Sequence, residues 1–190
     1  MERATTIMLT LMIVGGVFLR VREVAYPNIF TFDEPFFVPN GHNYLLGVKD
    51  NNDHPPLFKM LVSLGILIFG FNGAGWRFPA LCFGILSIAL GYWLGKAYFR
   101  SARAGLMAAA FVAADGFFIS YSRVGLIDGV LTSMMLWIMF AAICARTWRG
   151  VLMTAVLVGI TTGIKWNAVF ITIPAVITML VVGRVPFWSL

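Results

Sequence analysis

The sequence places two adjacent carboxylates, Asp33 and Glu34, within the aromatic stretch TFDEPFF of residues 31–37. Adjacent side chains on a helix diverge by about 100°, so the two acids would meet different partners. The aromatic neighbours favour a strip pressed against an apolar surface, where desolvation raises the pKa of a carboxylate toward that of a useful base. The alternative is a pair of solvated loop carboxylates, the commoner situation for charged residues. The neighbours favour the chemical interpretation.

Several basic side chains could donate hydrogen bonds to an anion, and each also has a structural interpretation. Asp53 or His54 could cap a helix, with proline in its first turn, and Lys59 could extend from that helix to a membrane surface. Arg77 could anchor a membrane span in the lipid headgroups. The candidate anion-binding residues are His54, Lys59, Arg77, Arg123 and Lys165.

The stretch DGFFISYSRVGLID places Arg123 between Asp115 and Asp128. These three residues could form an intramembrane ion pair that fixes two helices. Lys165 and Trp166 could likewise be an interfacial anchor, with the indole at the headgroup level. Each structural interpretation is reasonable alone, but together they require three coincidences on one face of the protein.

The composition predicts the elements that position these residues. Of the 190 residues, 60% are hydrophobic and 12% are charged. Runs such as AGLMAAAFVAADGFFIS approach the ~20 apolar residues that a helix needs to cross a bilayer. We therefore expect an all-α, polytopic transmembrane helical bundle forming a single domain, residues 1–190. Cys82 and Cys144 lie inside apolar runs and are interpreted as core residues.

The formal charge of +6 does not indicate nucleic-acid binding, because the cations lie singly or in small groups between apolar runs. Membrane orientation explains them better. Segment 57–70 is short, as interfacial helices are. If it does not span, Arg3, Arg184, the 96–103 cluster and the 146–149 cluster all face the cytoplasm. We therefore predict six spans, both termini cytoplasmic, and an outer loop at 20–76. The spans are near 5–19, 77–97, 104–121, 126–145, 150–164 and 167–183.

This topology brings the outer loop, the turn between Asp115 and Asp128, and Lys165 to one outer face. Ionisable residues at membrane depth are costly, so their convergence there indicates a functional site. No group of side chains has the ligand pattern of a dedicated metal site, and no cofactor is expected.

Five stretches, in their order along the chain, match a known family. They are FDE, HPPLFK, WRFPAL, DGFFISYSRVGLID and GIKW. Together they resemble the amino-terminal half of the protein O-mannosyltransferases, which are membrane glycosyltransferases of the GT-C type that use lipid-phosphate sugars. The resemblance covers almost the whole chain. Phe58, Gly116 and Pro35 depart from the usual family residues.

The resemblance implies transfer of a sugar, mannose first, from a polyprenyl or dolichyl phosphate carrier to a Ser or Thr hydroxyl of a protein, with inversion and without metal. It assigns the general base to Asp33, the acceptor side to Glu34, and loop ordering or a donor contact to His54. Phosphate departure would need cations to stabilise the developing charge. The residues for that role are Lys59, Arg77, Arg123 and Lys165, supported by Asp115, Asp128 and Trp166.

Several expectations follow for the protein's setting. Family members are much longer, so we expect a truncated chain or one that needs a missing carboxyl-terminal half or partner subunit. The site would face away from the cytoplasm, in the cell membrane of a prokaryote or the endoplasmic reticulum of a eukaryote, in contact with membrane lipids. The alternatives are transfer of another sugar such as aminoarabinose, a lipid or glycan acceptor, a non-catalytic subunit, and a transporter. The transporter lacks support because no matching repeats are found.

Overall fold

The structure of the chain is a computed structural model that describes residues 2–49 and 54–183. Within these residues there are helices and connections but no strand, which confirms the predicted all-α class. Asp53 and Arg184 lie outside the described residues. The α-helices are α1 Glu2–Val21, α2 Glu34–Leu45, α3 Leu57–Phe69, α4 Gly73–Phe99, α5 Ala102–Ala114, α6 Gly116–Tyr121, α7 Ile127–Cys144, α8 Trp148–Thr162 and α9 Thr172–Thr178. A 3-10 helix, Trp166–Ile171, precedes α9, and a π-helical turn, Met179–Gly183, follows it.

Three segments are long and apolar enough to cross a membrane by length and composition, namely Arg3–Val21, Gly73–Phe99 and Ile127–Cys144. The other three predicted spans are shorter or interrupted. The segment predicted near 104–121 is divided at Asp115 into α5 and α6, and α8 has 15 residues. The last segment combines 3-10, α and π geometry. The bundle is that of an integral membrane protein.

Consecutive long helices alternate in direction. Gly95 of α4 lies beside Ala104 of α5, so these two helices are antiparallel across a short turn. Ser87 of α4 hydrogen-bonds Ser133 of α7, and the Trp93 ring lies 6.2 Å from the Phe140 ring, so α4 and α7 run parallel. One end of the bundle, here called the site end, holds residues 20–21, 73–77, 114–128 and 162–166. The opposite end, here called the basic end, holds residues 96–103 and 144–149.

Helix α3 does not cross the bundle, as predicted for segment 57–70. At its start, the backbone N–H of Leu57 donates to the Gly163 oxygen over 3.1 Å. Toward its other end, the ring of Phe69 lies 4.8 Å from that of Phe78, near the start of α4. Both contacts lie at the site end, so α3 lies along that end rather than through the bundle.

The core and the helix caps fix the start of α4 and the neighbouring helices. The side chain of Asn72 caps α4 by accepting from the N–H groups of Ala74 and Gly75 at 3.0 and 3.1 Å. A cluster at the site end joins α2, α3 and α7 through fully buried Val38, Phe58, Val62 and Val130. Burial of each such side chain stabilises the fold by roughly 1.5–3 kcal/mol. Tight packing therefore fixes the helices of the site end relative to one another.

Candidate active site

Glu34 and Arg77 form a buried ion pair at the site end. The Arg77 Nε donates to Glu34 Oε1 over 2.7 Å, and Nη2 donates to Oε2 over 3.0 Å. Glu34 is 0% exposed and Arg77 is 1% exposed. The two parallel hydrogen bonds give the fork-like geometry that is the strongest form of this pair. The pair fixes the start of α2 to the start of α4.

Backbone groups from two loops complete the pair. Arg77 Nη1 donates to the Val24 oxygen at 3.0 Å, and Nη2 donates to the Ile29 oxygen at 3.1 Å. Glu34 accepts from the N–H of Thr31 at 2.8 Å and from the N–H of Gly125 at 2.7 Å. The pair therefore connects α2, α4, the loop after α1 and the loop before α7.

These contacts determine the charge of Glu34. Burial by itself raises the pKa of this carboxyl group. The hydrogen bond from Arg77, those from the backbone of Gly125 and Thr31, and the positive charge of Arg77 act against burial and hold the pKa of Glu34 below its ordinary value. Glu34 is therefore an ionised carboxylate whose oxygens are occupied. A proton acceptor needs an accessible oxygen, and Glu34 offers none.

Asp33 differs from its neighbour in each of these respects. Its side chain is exposed, and although Asp33 is the N-cap residue of α2, its carboxylate makes no capping hydrogen bond. Within the part of the chain that the structure describes, its carboxylate has no hydrogen bond. Phe32, directly before it, has φ of +51° and is 80% exposed. A left-handed conformation is strained for an aromatic residue, and such strain is concentrated at functional sites. The turn thus presents Asp33 outward while Glu34 is buried.

A cavity of about 260 Å³ opens beside the acid pair. Its walls include Thr31 and Phe32, the two residues directly before Asp33. Arg77 and Arg123 contribute positive charge to the same cavity. A larger cavity, about 450 Å³, lies between α2 and α3, but the predicted site residues do not line it. The smaller cavity is where an anion would meet both cations. It is lined by Tyr26, Pro27, Thr31, Phe32, Arg77, Ser120, Arg123 and Val124.

Arg123 is presented by the break between α5 and α7. Asp115 ends α5 and caps α6, because its Oδ1 accepts from the N–H of Phe118 over 3.0 Å. Ser122, at the end of α6, is buried against Gly84 of α4, where the approach leaves no room for a Cβ. Among the described residues Arg123 pairs with neither Asp115 nor Asp128. The structural interpretation that grouped these three as one ion pair is therefore wrong.

Asp128 pairs instead with Lys165. The Lys165 Nζ donates to Asp128 Oδ1 over 2.7 Å, and the two side chains are 25% and 38% exposed. The contact joins the start of α7 to the turn after α8. Trp166, next along the chain, is 66% exposed. Lys165 is therefore held at the site end with part of its side chain accessible.

His54 and Lys59 lie at the start of α3. Pro56 is the N-cap residue of α3, so His54 does not cap that helix. The His54 ring lies 5.5 Å from the Phe37 ring, and its Nδ1 is buried without a hydrogen-bond partner among the described residues. Lys59 is 1% exposed. Neither residue lines the cavity that Arg123 lines.

Two residues that organise the site end were not among the predicted site residues. Arg20 is 0% exposed, and its guanidinium donates to the backbone oxygens of Val112 and Ala113 at 2.7 and 2.8 Å, at the end of α5. Gly125 donates to Glu34, and a Cβ there would lie 3.3 Å from Glu34 Oε1. The sequence signal for Arg20 was an arginine at the very end of an apolar run. Nothing in the sequence except the glycine itself indicated the contact of Gly125 with Glu34.

The helices and the charged cluster define a polytopic membrane protein with a carboxylate and cation site at one end. Within that class, the chain belongs to the dolichyl-phosphate-mannose-protein mannosyltransferase family, whose sequence model matches residues 53–189. The match begins after the acid pair, so the roles of Asp33 and Glu34 depend on the geometry and on the resemblance of the FDE stretch.

Curated relatives have the same family name. The chain is 33% identical over 132 residues to the polyprenol-phosphate-mannose–protein mannosyltransferase of Mycobacterium tuberculosis, covering 66% of this chain and 25% of that protein. It is 24% identical over 184 residues to dolichyl-phosphate-mannose–protein mannosyltransferase 2 of Candida albicans, covering 82% of this chain and 24% of that protein. The chain thus spans about a quarter of the length of these relatives.

Proposed function

We propose that this chain carries the catalytic end of a membrane mannosyltransferase. The donor is a polyprenyl or dolichyl phosphate mannose, and the acceptor is a Ser or Thr hydroxyl of a protein. The names of the relatives and the family match support this donor and a protein acceptor. The site faces away from the cytoplasm, which the charge distribution between the two ends supports.

The proposed reaction is a single displacement with inversion. The acceptor oxygen attacks the anomeric carbon of mannose, a new C–O bond forms, and the bond from that carbon to the phosphate oxygen breaks. The hydroxyl proton moves to the carboxylate of Asp33, and both electrons of the broken bond leave with the phosphate. No metal takes part, because basic side chains stabilise the leaving phosphate.

The observation that carries the proposal is the difference between two adjacent acids. Glu34 is buried and fully hydrogen-bonded, whereas Asp33 is exposed and follows directly on two residues that line the cavity. A base must have an accessible oxygen within reach of the proton it removes. Asp33 meets the accessibility requirement and Glu34 does not. Glu34 therefore acts as a positioning residue for the turn that presents Asp33.

The cations, like the two acids, differ in whether their side chains are accessible to a ligand. Arg123 lines the cavity and has no carboxylate partner among the described residues, so it is the first phosphate ligand in the proposal. Lys165 is a second, because its charge is shared with Asp128 but part of its side chain is exposed. The nitrogens of Arg77 already donate to Glu34 and to backbone oxygens, which favours a positioning role over the phosphate contact. His54 and Lys59 stay predicted donor contacts.

Asp33→Asn is the decisive variant. The amide is nearly the same size and the phosphate is held elsewhere, so donor affinity should change little. Turnover should fall by about 10²–10⁴-fold, which is the range of general-base catalysis. Transfer of radiolabelled mannose from polyprenyl phosphate mannose to a Ser/Thr peptide measures turnover, in a protein that contains this chain and is active in that assay.

Glu23→Gln is the matched control, because Glu23 is an exposed carboxylate at the same end of the molecule. Its turnover should equal that of the parent. A chelator should leave both proteins unchanged. Near-parent turnover of Asp33→Asn would remove Asp33 from the mechanism, and loss of activity with chelator that a divalent ion restores would replace the metal-free scheme. A panel of lipid-phosphate sugars that includes aminoarabinose separates the sugar alternatives.

A further inference from the structure

The basic end carries cations on two turns. Arg100 lies in the turn between α4 and α5, and Lys96 and Arg103 lie on the helices beside it; Arg146 lies in the turn between α7 and α8, and Arg149 lies in the first turn of α8. All five side chains are exposed. Their positions at helix ends place them where a membrane protein meets the lipid headgroups.

The register of α4 and α7 places the two turns side by side. Ser87 hydrogen-bonds Ser133, an offset of 46 residues, and the Trp93 ring lies 6.2 Å from the Phe140 ring, an offset of 47 residues. The same offsets carry position 100, directly after α4, to positions 146 and 147, in the turn that follows α7. Because the two helices run parallel, the two sets of cations form one surface.

Cations outnumber acids at this end. Glu2, at the start of α1, is the acid that the helix directions bring to the basic end, and the chain has no Asp or Glu between Asp53 and Asp115 and none after Asp128. Within the described residues, Lys96, Arg100, Arg146 and Arg149 form no ion pair with a carboxylate. At the site end, by contrast, Arg77 and Lys165 are both paired with acids. The charges of Lys96, Arg100, Arg146 and Arg149 are therefore available to an anion from outside the chain.

Aromatic side chains surround these cations at the level where a bilayer surface would lie. Trp93, Tyr98, Phe99 and Trp148 are between 43% and 66% exposed. The Lys96 ammonium lies 5.6 Å from the Tyr92 ring centre, and the Arg149 guanidinium lies 5.6 Å from that of Trp148. Amphipathic rings beside cations are typical of the membrane–water boundary. These rings favour a lipid headgroup over a soluble ligand as the anion.

We propose that the joined turns of the basic end bind the headgroups of anionic phospholipids, which associate with this protein in preference to zwitterionic ones. Each Lys or Arg near an anionic surface strengthens binding by up to about fivefold, and the effect weakens as salt is added. The long side chains reach the phosphate while their methylene groups cover apolar surface. This inference does not rest on the proposed transfer activity.

Quenching of tryptophan fluorescence by brominated lipids tests the proposal. The protein is reconstituted in mixtures of phosphatidylcholine and phosphatidylglycerol, with either lipid brominated, and the relative binding constant is measured at low salt. We expect phosphatidylglycerol to be favoured in the parent. The variant Arg146→Gln/Arg149→Gln should lose several-fold of that preference, and adding Lys96→Gln/Arg100→Gln should abolish it.

Arg146→Lys/Arg149→Lys keeps the charges and should keep the preference, which separates charge from folding. The matched control is Arg22→Gln/Lys49→Gln, which removes two exposed cations from outside the basic end and should leave the preference unchanged. Equal binding of both lipids by the parent, equal loss in the control, or displacement of the lipid by millimolar inorganic phosphate would each overturn the proposal.

Discussion

The site end contains two ion pairs with the same contact distance and different surroundings. Arg77 Nε lies 2.7 Å from Glu34 Oε1, and Lys165 Nζ lies 2.7 Å from Asp128 Oδ1. The first pair is 1% and 0% exposed, whereas the second is 25% and 38% exposed. Distance alone therefore does not distinguish them. The two pairs differ in the number of their additional hydrogen-bond partners and in their exposure to water.

The buried pair links parts of the fold, and both of its charges are neutralised within the protein. Each member has further backbone partners, so removing one member leaves a buried charge without a counter-charge. The exposed pair is screened by water, and either charge can be solvated if the other is removed. The fold therefore depends on the Glu34–Arg77 pair, whereas the Asp128–Lys165 pair is accessible to a ligand.

The largest effect is expected for Arg77→Met, which removes the counter-charge of a buried carboxylate. Breaking a buried pair from one side destabilises a protein by about 3–5 kcal/mol. The free energy of unfolding, measured for the purified protein in detergent micelles, should fall by that amount. Arg22→Met is the control, because Arg22 forms an exposed pair with Glu23 at 3.4 Å. If both variants lost the same stability, the two classes of ion pair would not differ here.

A smaller effect is expected for Glu34→Gln, because the amide keeps the shape of the side chain and one acceptor oxygen, and Arg77 keeps the backbone oxygens of Val24 and Ile29 as partners. Hydrogen bonds to a charged group contribute about 1.5–3 kcal/mol, and the variant should lose stability in that range at neutral pH. The amide should also weaken the presentation of Asp33, which would appear as a weaker apparent affinity for the hydroxyl acceptor.

The pH dependence sharpens this second prediction. Because the folded pKa of Glu34 is lowered, its contribution is complete above the ordinary pKa of about 4.3 and is lost as the pH falls through the folded value. In acid the unfolded chain binds the proton first, which favours unfolding. The stability difference between parent and Glu34→Gln should therefore shrink as the pH falls below about 4. A difference that stayed constant with pH would contradict the ionised state of Glu34.

The smallest effect on stability is expected for Lys165→Met. Partly exposed pairs contribute about 0–1 kcal/mol, so unfolding should barely change. Donor affinity should fall markedly, because a charge-assisted phosphate contact contributes about 1.5–3 kcal/mol. Asp128→Asn serves as the partner control, since it leaves the ammonium in place and should weaken donor binding less. Strong destabilisation without loss of donor affinity would move Lys165 to the structural group.

Much of the fold could be predicted because its signals are local. Apolar runs and their lengths predicted a helical membrane bundle, and the short 57–70 segment correctly predicted that α3 does not cross it. The break at Asp115 was not predicted, because the apolar run continues through Gly116 to Tyr121 and only one capping hydrogen bond marks the change. The division of the last predicted span into short 3-10, α and π segments was not predicted either, because hydropathy is uniform along it.

The charged residues show the limit of the sequence. Their convergence at one end followed from topology, and Arg77, Arg123 and Lys165 do lie there. Which acid meets which base did not follow, because Glu34 and Arg77 are 43 residues apart and Asp128 and Lys165 are 37 apart. The sequence spacing instead suggested Arg123 as the partner of Asp128. Pairing is decided by helix register in three dimensions, which the order of residues does not contain. The roles of the individual site residues stay predictions.

The hydrogen bonds of Glu34 can form only in a fixed order during biosynthesis. Arg77 leaves the ribosome 43 residues after Glu34, and Gly125 leaves it 91 residues after Glu34. At roughly 5–20 residues per second, the last donor to this carboxylate is made about 5–18 seconds after the carboxylate itself. During that interval α2 to α6 are synthesised while the carboxylate still lacks its hydrogen bond from the backbone N–H of Gly125. The hydrogen bonds of this carboxylate at the site end are therefore complete only after Gly125, two residues before α7, has been synthesised.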